Sequence, residues 1–195
     1  MTIKNSFLRN TKNHTVQILK DDGLYRHLKC TEDNSQVYRF DIITWPGFLT
    51  ICQDMGTSVF TRVPDMFNFF RRQSLTVNTG YWAEKCCANE GGIKKFSQEI
   101  FESRLKECFE SWCFRDEEQK EAVWAEVQMM VIDMAEDHEV TALYAALSYT
   151  SEFGHSFGDF WEYDITEYTY HFVWRLYAVV WAIQQYDKIK GVNND

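Results

Sequence analysis

Residues 37–62 alternate short β-branched and aromatic runs with turn-forming residues, and no other stretch of the chain restricts the fold as tightly. In residues 37–45, Phe40 and Ile42 alternate with Arg39 and Asp41, the period of two that places apolar side chains on one sheet face. Pro46-Gly47 suits positions i+1 and i+2 of a type II turn. Phe48–Gln53 is a second strand candidate, and Asp54-Met55-Gly56 reads as a turn in which glycine supplies a positive φ. Residues 58–62 form a third run. Three short strands with tight turns predict a three-stranded antiparallel meander over residues 37–62. Such a sheet needs an apolar cover, and the helical run 66–72 opened by Pro64-Asp65 offers Phe67 and Phe70.

Residues 1–20 are polar and mildly basic and read as a partly ordered arm or a short first element. Asn78, Gly80, Asn89, Gly91 and Gly92 mark loops around a short segment at residues 81–85. Beyond Gly92 the chain is almost free of breakers. Ser97 opens a helix with Ile100, Phe101, Leu105, Cys108 and Phe109 at helical spacing. Asp116-x-x-Gln119 is a capping-box signature for a long helix over residues 117–136, with Val123, Val127, Met130 and Met134 as its apolar stripe. Glu118, Glu121, Gln128 and Glu136 fall away from that stripe. A short apolar helix follows at residues 141–149, then a loop around His155. A second capping-box pattern, Asp164-x-x-Glu167, predicts a last helix over residues 165–190, ended by Gly191. The expected architecture is α+β: a small N-terminal antiparallel meander packed on a helical C-terminal layer spanning residues 97–190. The sheet is too small to stand alone, so residues 1–195 read as a single domain.

The chain is 45% hydrophobic and 16% aromatic, which supports a large core and excludes wholesale disorder. Its N-terminus lacks the apolar run of about 7–15 residues of a signal peptide. The most apolar stretch, residues 168–183, is interrupted by His171 and Arg175 and is shorter than the ~20 residues that span a bilayer. A protein without membrane contact that stays where it is made, the cytoplasm, is therefore expected. The six cysteines form no C-x-x-C pair and the five histidines no H-x-x-x-H spacing, so no metal site and no cofactor are predicted; most of the cysteines read as small buried hydrophobes.

Net charge is −9 and is unevenly placed. Residues 1–100 sum to +3 and residues 101–195 to −12. Between residues 116 and 167 there are 14 acidic residues and one base, Lys120. An acidic face of this kind repels nucleic acid directly and attracts basic surfaces. It also serves as a solvated face that aids solubility. As a docking surface its candidate residues are Glu118, Glu121, Asp133, Glu136, Asp137 and Glu139, and the partner is a protein or nucleoprotein with a basic surface.

The alternative is a small motif-poor enzyme or ligand-binding module. Glu167, His171 and Arg175 sit at i, i+4 and i+8 of the expected last helix, where a carboxylate beside histidine suits acid–base chemistry. A self-satisfied salt-bridge ladder has the same pattern. Asp54, Arg62, Asp65, Arg71 and Arg72 form a second constellation around the meander, suited either to an anion or to internal pairing. No phosphate-binding loop, dinucleotide fingerprint, serine-hydrolase elbow or zinc-protease motif is present. An aromatic surface joining two copies in a homodimer is a third reading.

Several segments carry a resemblance: Thr44-Trp-Pro-Gly47, Asp54-Met-Gly56, Val59-Phe-x-Arg62, Asp65-Met-Phe-x-Phe-Phe70, Tyr81-Trp-x-Glu-Lys85, Phe157-x-Asp-Phe-Trp161, Tyr168-Thr-Tyr-His-Phe172 and Trp181-Ala-Ile-Gln-Gln-Tyr-Asp187. Over residues 24–187 the chain resembles a family of hypothetical proteins encoded by tailed bacteriophages and prophages. The resemblance brings no catalytic residues with it. It implies an accessory viral protein acting in the bacterial host cytoplasm. Small proteins of that kind often bind and block host machinery, so the expectation is a host-defence inhibitor, with an anti-CRISPR-type inhibitor of a nucleic-acid-directed defence complex as the specific case.

Overall fold

Six antiparallel strands in sequential order organise the first half of the chain. They are β1 (Thr15–Asp22), β2 (Tyr25–Thr31), β3 (Phe40–Trp45), β4 (Phe48–Gln53), β5 (Ser58–Thr61) and β6 (Cys86–Asn89). The molecule is a computed structural model that describes residues 2–135 and 138–191. The fold is α+β, with this sheet packed against helices that include a long C-terminal one. The described residues divide into two compact units. Unit 1 combines residues up to 93 with those from 168 onward, and unit 2 is residues 94–167.

The meander expected over residues 37–62 forms the middle of a larger sheet. Trp45 pairs with Phe48 across the turn, and Gly47 adopts φ +85°, as position i+2 of a type II turn requires. Leu28, Ile42, Ile51 and Ser58 lie in register across β2 to β5, and all four are buried. The flanking strands escape sequence reading because of their polarity. β1 is an edge strand with most residues exposed, as befits a row of lysine and aspartate that blunts an open edge. Of the two readings of residues 1–20, the short first element holds and the partly ordered arm does not: helix α1 (Ile3–Asn10), capped by Thr2, is followed by β1. Its one buried side chain, Phe7, meets the Trp174 ring edge-on at 5.1 Å, and that contact anchors an otherwise polar helix.

Helices α2 (Met66–Phe70) and α3 (Thr79–Ala83) cover part of the sheet. The residues expected to do so are in place: Phe67 and Phe70 are fully buried, with Phe70 edge-on to Phe60 at 5.1 Å and to Trp82 at 4.8 Å. The core element is helix α7 (Tyr170–Lys190), which is buried nearly all round. A helix apolar on every face belongs inside a protein or a membrane. Here Phe172, Trp174, Leu176, Val179, Val180 and Ile183 join the sheet residues in one core. Each fully buried side chain of this size is worth about 1.5–3 kcal/mol. No helix among the described residues is long and apolar enough to cross a membrane.

Helix α7 starts five residues later than its sequence pattern predicts. Its cap is Thr169, whose hydroxyl accepts from Phe172 N, and Gly191 at φ +65° ends it as expected. Ile165 is spent in the core of unit 2, and residues 166–168 are extended.

Unit 2 opens with the short strand β7 (Lys94–Phe96) and ends within β8 (Thr166–Tyr168), of which it holds residues 166 and 167. Between them lie helices α4 (Gln98–Glu110), α5 (Glu117–Val127) and α6 (Glu139–Ser148), with a π-helical turn at Gln128–Ile132. Phe101, Leu105, Val127, Val131, Ala142 and Phe160 belong to a core of their own.

Candidate functional site

Unit 2 concentrates the charge of the chain. It holds 18 acidic against 6 basic residues, a net of −12, while unit 1 carries +3. The six bases are all engaged in ion pairs within the unit. Lys94 pairs with Asp164, Lys95 with Glu167 at 3.0 Å and Arg104 with Glu107 at 2.6 Å. Arg115 pairs with Asp116 at 2.6 Å, while Lys106 and Lys120 share Glu110 at 3.2 and 2.8 Å. The Lys120 and Lys106 ammonium groups lower the Glu110 pKa, and a hydrogen bond from Lys94 pulls that of Asp164 down to about 2. Glu118, Glu121, Asp133 and Glu139 are among the carboxylates outside these pairs. All four are exposed, and among the described residues none makes a hydrogen bond or ion pair through its side chain. Glu136 and Asp137 lie outside the described residues.

The acidic helices also carry an apolar groove that the sequence pattern misassigns. Asp116 caps α5 by accepting from Gln119 N at 2.9 Å, while Gln119 accepts in return from Arg115 N at 2.7 Å. Val123 and Val127 are buried as expected. At Gln128 the helix widens: Asp133 N bonds Gln128 O, an i to i+5 bond, at 2.9 Å. The extra residue advances the buried stripe to Val131 and Ala135. Met130 and Met134, expected in the stripe, are therefore turned outward, 51% and 57% exposed, with Met129 at 63%. Helix α6 buries only the small Ala142 and Ala146 and exposes Val140 and Tyr144, the latter at 73%. Met130, Met134, Thr141, Tyr144, Ala145 and Tyr149 line a groove of about 200 Å³. Glu126 sits at its edge, accepting from the Tyr149 hydroxyl at 3.0 Å. Burial and that bond raise the Tyr149 pKa, so the phenol stays neutral.

The alternative residues are partly dispersed. Glu167 stands on β8 and pairs with Lys95, so the helical lane of Glu167, His171 and Arg175 does not form. The structure instead brings Asp54, His171 and Arg175 together in unit 1, with Gly56 and Glu90, around a shallow pocket of about 390 Å³. His171 is exposed there. Arg175 is fully buried and acts as a clamp. It donates to Met55 O at 2.8 Å and to Asn89 Oδ1 at 2.9 Å, tying the β4–β5 turn and β6 to α7. Burial lowers its pKa, against the opposing pull of Cys86 and Glu90. Glu90 carries no pattern that marks it in the sequence, Asn89 is visible only as a loop marker, and Gly56 as the glycine of its turn.

The second constellation is largely internal wiring, although Arg62 is exposed and its side chain makes no hydrogen bond or ion pair among the described residues. Asp54 accepts from Tyr38 N at 2.6 Å. Asp65 caps α2 and holds Arg26 through two bonds of 2.8 and 3.1 Å. Arg71 forks onto buried Asp187 at 2.8 and 2.9 Å, and Arg72 lies 5.2 Å from the Trp82 ring. Only Cys30 among the cysteines is fully buried, and Cys87 and Cys113 are exposed, so fewer serve as core than expected. Burial pushes the Cys30, Cys52 and Cys86 thiols up, away from thiolate chemistry. No group of three or more metal-ligating side chains occurs among the described residues.

No protein-family model matches the chain, and neither curated proteins nor solved structures give a significant match.

Proposed function

We propose that the protein is a non-catalytic binding protein whose acidic unit 2 docks on a basic surface of a partner protein or nucleoprotein and occludes it. One observation carries this reading: every base of unit 2 is already neutralised, while Glu118, Glu121, Asp133 and Glu139 face solvent unpaired. Uncompensated carboxylates on a surface of net −12 attract cations over a Debye length of about 8–10 Å and speed encounter with a basic groove. Nucleic acid itself is repelled. The resemblance to phage-encoded proteins adds the biological setting: the partner is a host factor in the bacterial cytoplasm, with a nucleic-acid-directed defence complex, the anti-CRISPR case, as the specific proposal, because such complexes hold their nucleic acid in a basic channel.

The test uses poly-L-lysine as the basic probe, measured by microscale thermophoresis at low and high salt. Wild type should bind more weakly as salt rises. The charge reversals E118K/E121K and D133K/E139K should each lose most of the affinity, whereas D22K/D33K in unit 1 should keep it. Equal losses from all three pairs, or binding indifferent to salt, would contradict the assignment of the surface.

A further inference from the structure

We infer that the groove between the π-helical turn and α6 receives an amphipathic helix with an apolar face and lysine or arginine flanks, contributed by the partner. The inference rests on the docking reading above and names what the partner inserts. Three large side chains at this groove, Met130, Met134 and Tyr144, are at least half exposed. Contiguous exposed apolar surface of this kind marks an interaction site, and methionine adapts its shape to a range of apolar faces.

Charge decides among the possible occupants. A second copy would bring an identical surface of net −12 against the first, so self-association through the groove is opposed. An anionic membrane surface and nucleic acid are repelled for the same reason. A cationic segment is attracted, and Glu126 at the groove edge, Asp133 beside Met134 and Glu139 at the start of α6 flank the apolar floor. Backbone chemistry then decides the shape of that segment. The π-helical turn and α6 use their main-chain groups within their own helices, so an extended peptide laid along them would bury N–H and C=O groups without partners. A helix satisfies its own.

The test is binding of a synthetic leucine–lysine amphipathic helical peptide to the full chain, with a scrambled peptide of identical composition as control. The helical peptide should bind about tenfold or more tightly than the scrambled one and gain helix signal on binding. M130S/M134S should cost about tenfold in peptide affinity, and Tyr144→Ser should weaken it as well, while neither changes the response to poly-L-lysine. All three side chains are already exposed, so the fold should survive, as an unchanged thermal midpoint would show. Equal affinity for the two peptides, or unchanged peptide binding by both groove variants, would overturn the inference and leave the electrostatic reading standing. Loss of the poly-L-lysine response in wild type would overturn the electrostatic reading itself. A dimer in light scattering that M130S/M134S dissolves would replace the partner helix by a second copy and overturn the inference too.

Discussion

Gly56 shows how one residue constrains unit 1. Its φ is +82°, and a Cβ there would fall 2.5 Å from Arg175 Nη1, the atom that clamps Met55 O. Gly56→Ala should therefore destabilise the protein by roughly 1–3 kcal/mol, through the left-handed backbone and displacement of the guanidinium. A urea midpoint equal to wild type would contradict this. The turn is legible in the sequence, since Asp54-Met55-Gly56 reads as one. The clamp is not, because Arg175 reaches a turn 120 positions away in the chain and no local pattern records that pairing. Asp164 offers a second check at this scale. Lys94 first, and Thr166 next, hold its pKa at about 2, below its value in an unfolded chain, near 3.9. Its stabilising contribution is complete above the unfolded value and is lost as pH falls through about 2. Lys94→Met should raise the Asp164 midpoint in a carboxyl NMR titration; an unmoved midpoint would show that the ammonium is not the cause. The effect on overall stability should be small, since both side chains are well exposed.

At the scale of elements, the π-helical turn is what separates the outcome from the sequence reading. A strict helix places Val123, Val127, Met130 and Met134 on one stripe; the structure buries Val123, Val127, Val131 and Ala135. The difference is one inserted residue, which period counting cannot detect because both stripes are apolar. Deleting Met129 should close the bulge and let the same four side chains follow an unbroken α-helical period. The deleted chain should keep its far-UV circular dichroism and its thermal midpoint within a few degrees, and it should carry one exposed methionine fewer in this segment. Loss of cooperative unfolding would mean that the bulge is required for folding. The start of α7 is misplaced by the sequence pattern for a related reason. Asp164-x-x-Glu167 has the spacing of a cap, yet Asp164 is bonded to Lys94 and to Thr166, and Ile165 is drawn into the core of unit 2. Tertiary burial outweighs the local signal. Where burial and local pattern agree, as in β4 and β5, the sequence reading and the structure coincide, whereas β3 starts at Phe40, three residues later than the expected run, and buries Asp41.

For the whole molecule, the feature most visible in the sequence is also the one with most consequence: the charge is segregated, +3 in unit 1 against −12 in unit 2. Counting charges along the chain is enough to reveal the imbalance. It does not reveal that the bases of unit 2 pair with other carboxylates of the unit, leaving Glu118, Glu121, Asp133 and Glu139 unpaired, because ion-pair partners such as Lys120 and Glu110 are set by packing. The central claim is that negative potential is concentrated on α5, the π-helical turn and α6. Amide relaxation enhancements from a cationic and an anionic nitroxide cosolute measure that potential residue by residue. The account predicts that amides from Glu117 to Ser148 are enhanced more strongly by the cationic probe, while those of β2 to β5 respond about equally to the two. Equal responses along α5 and α6 would contradict it.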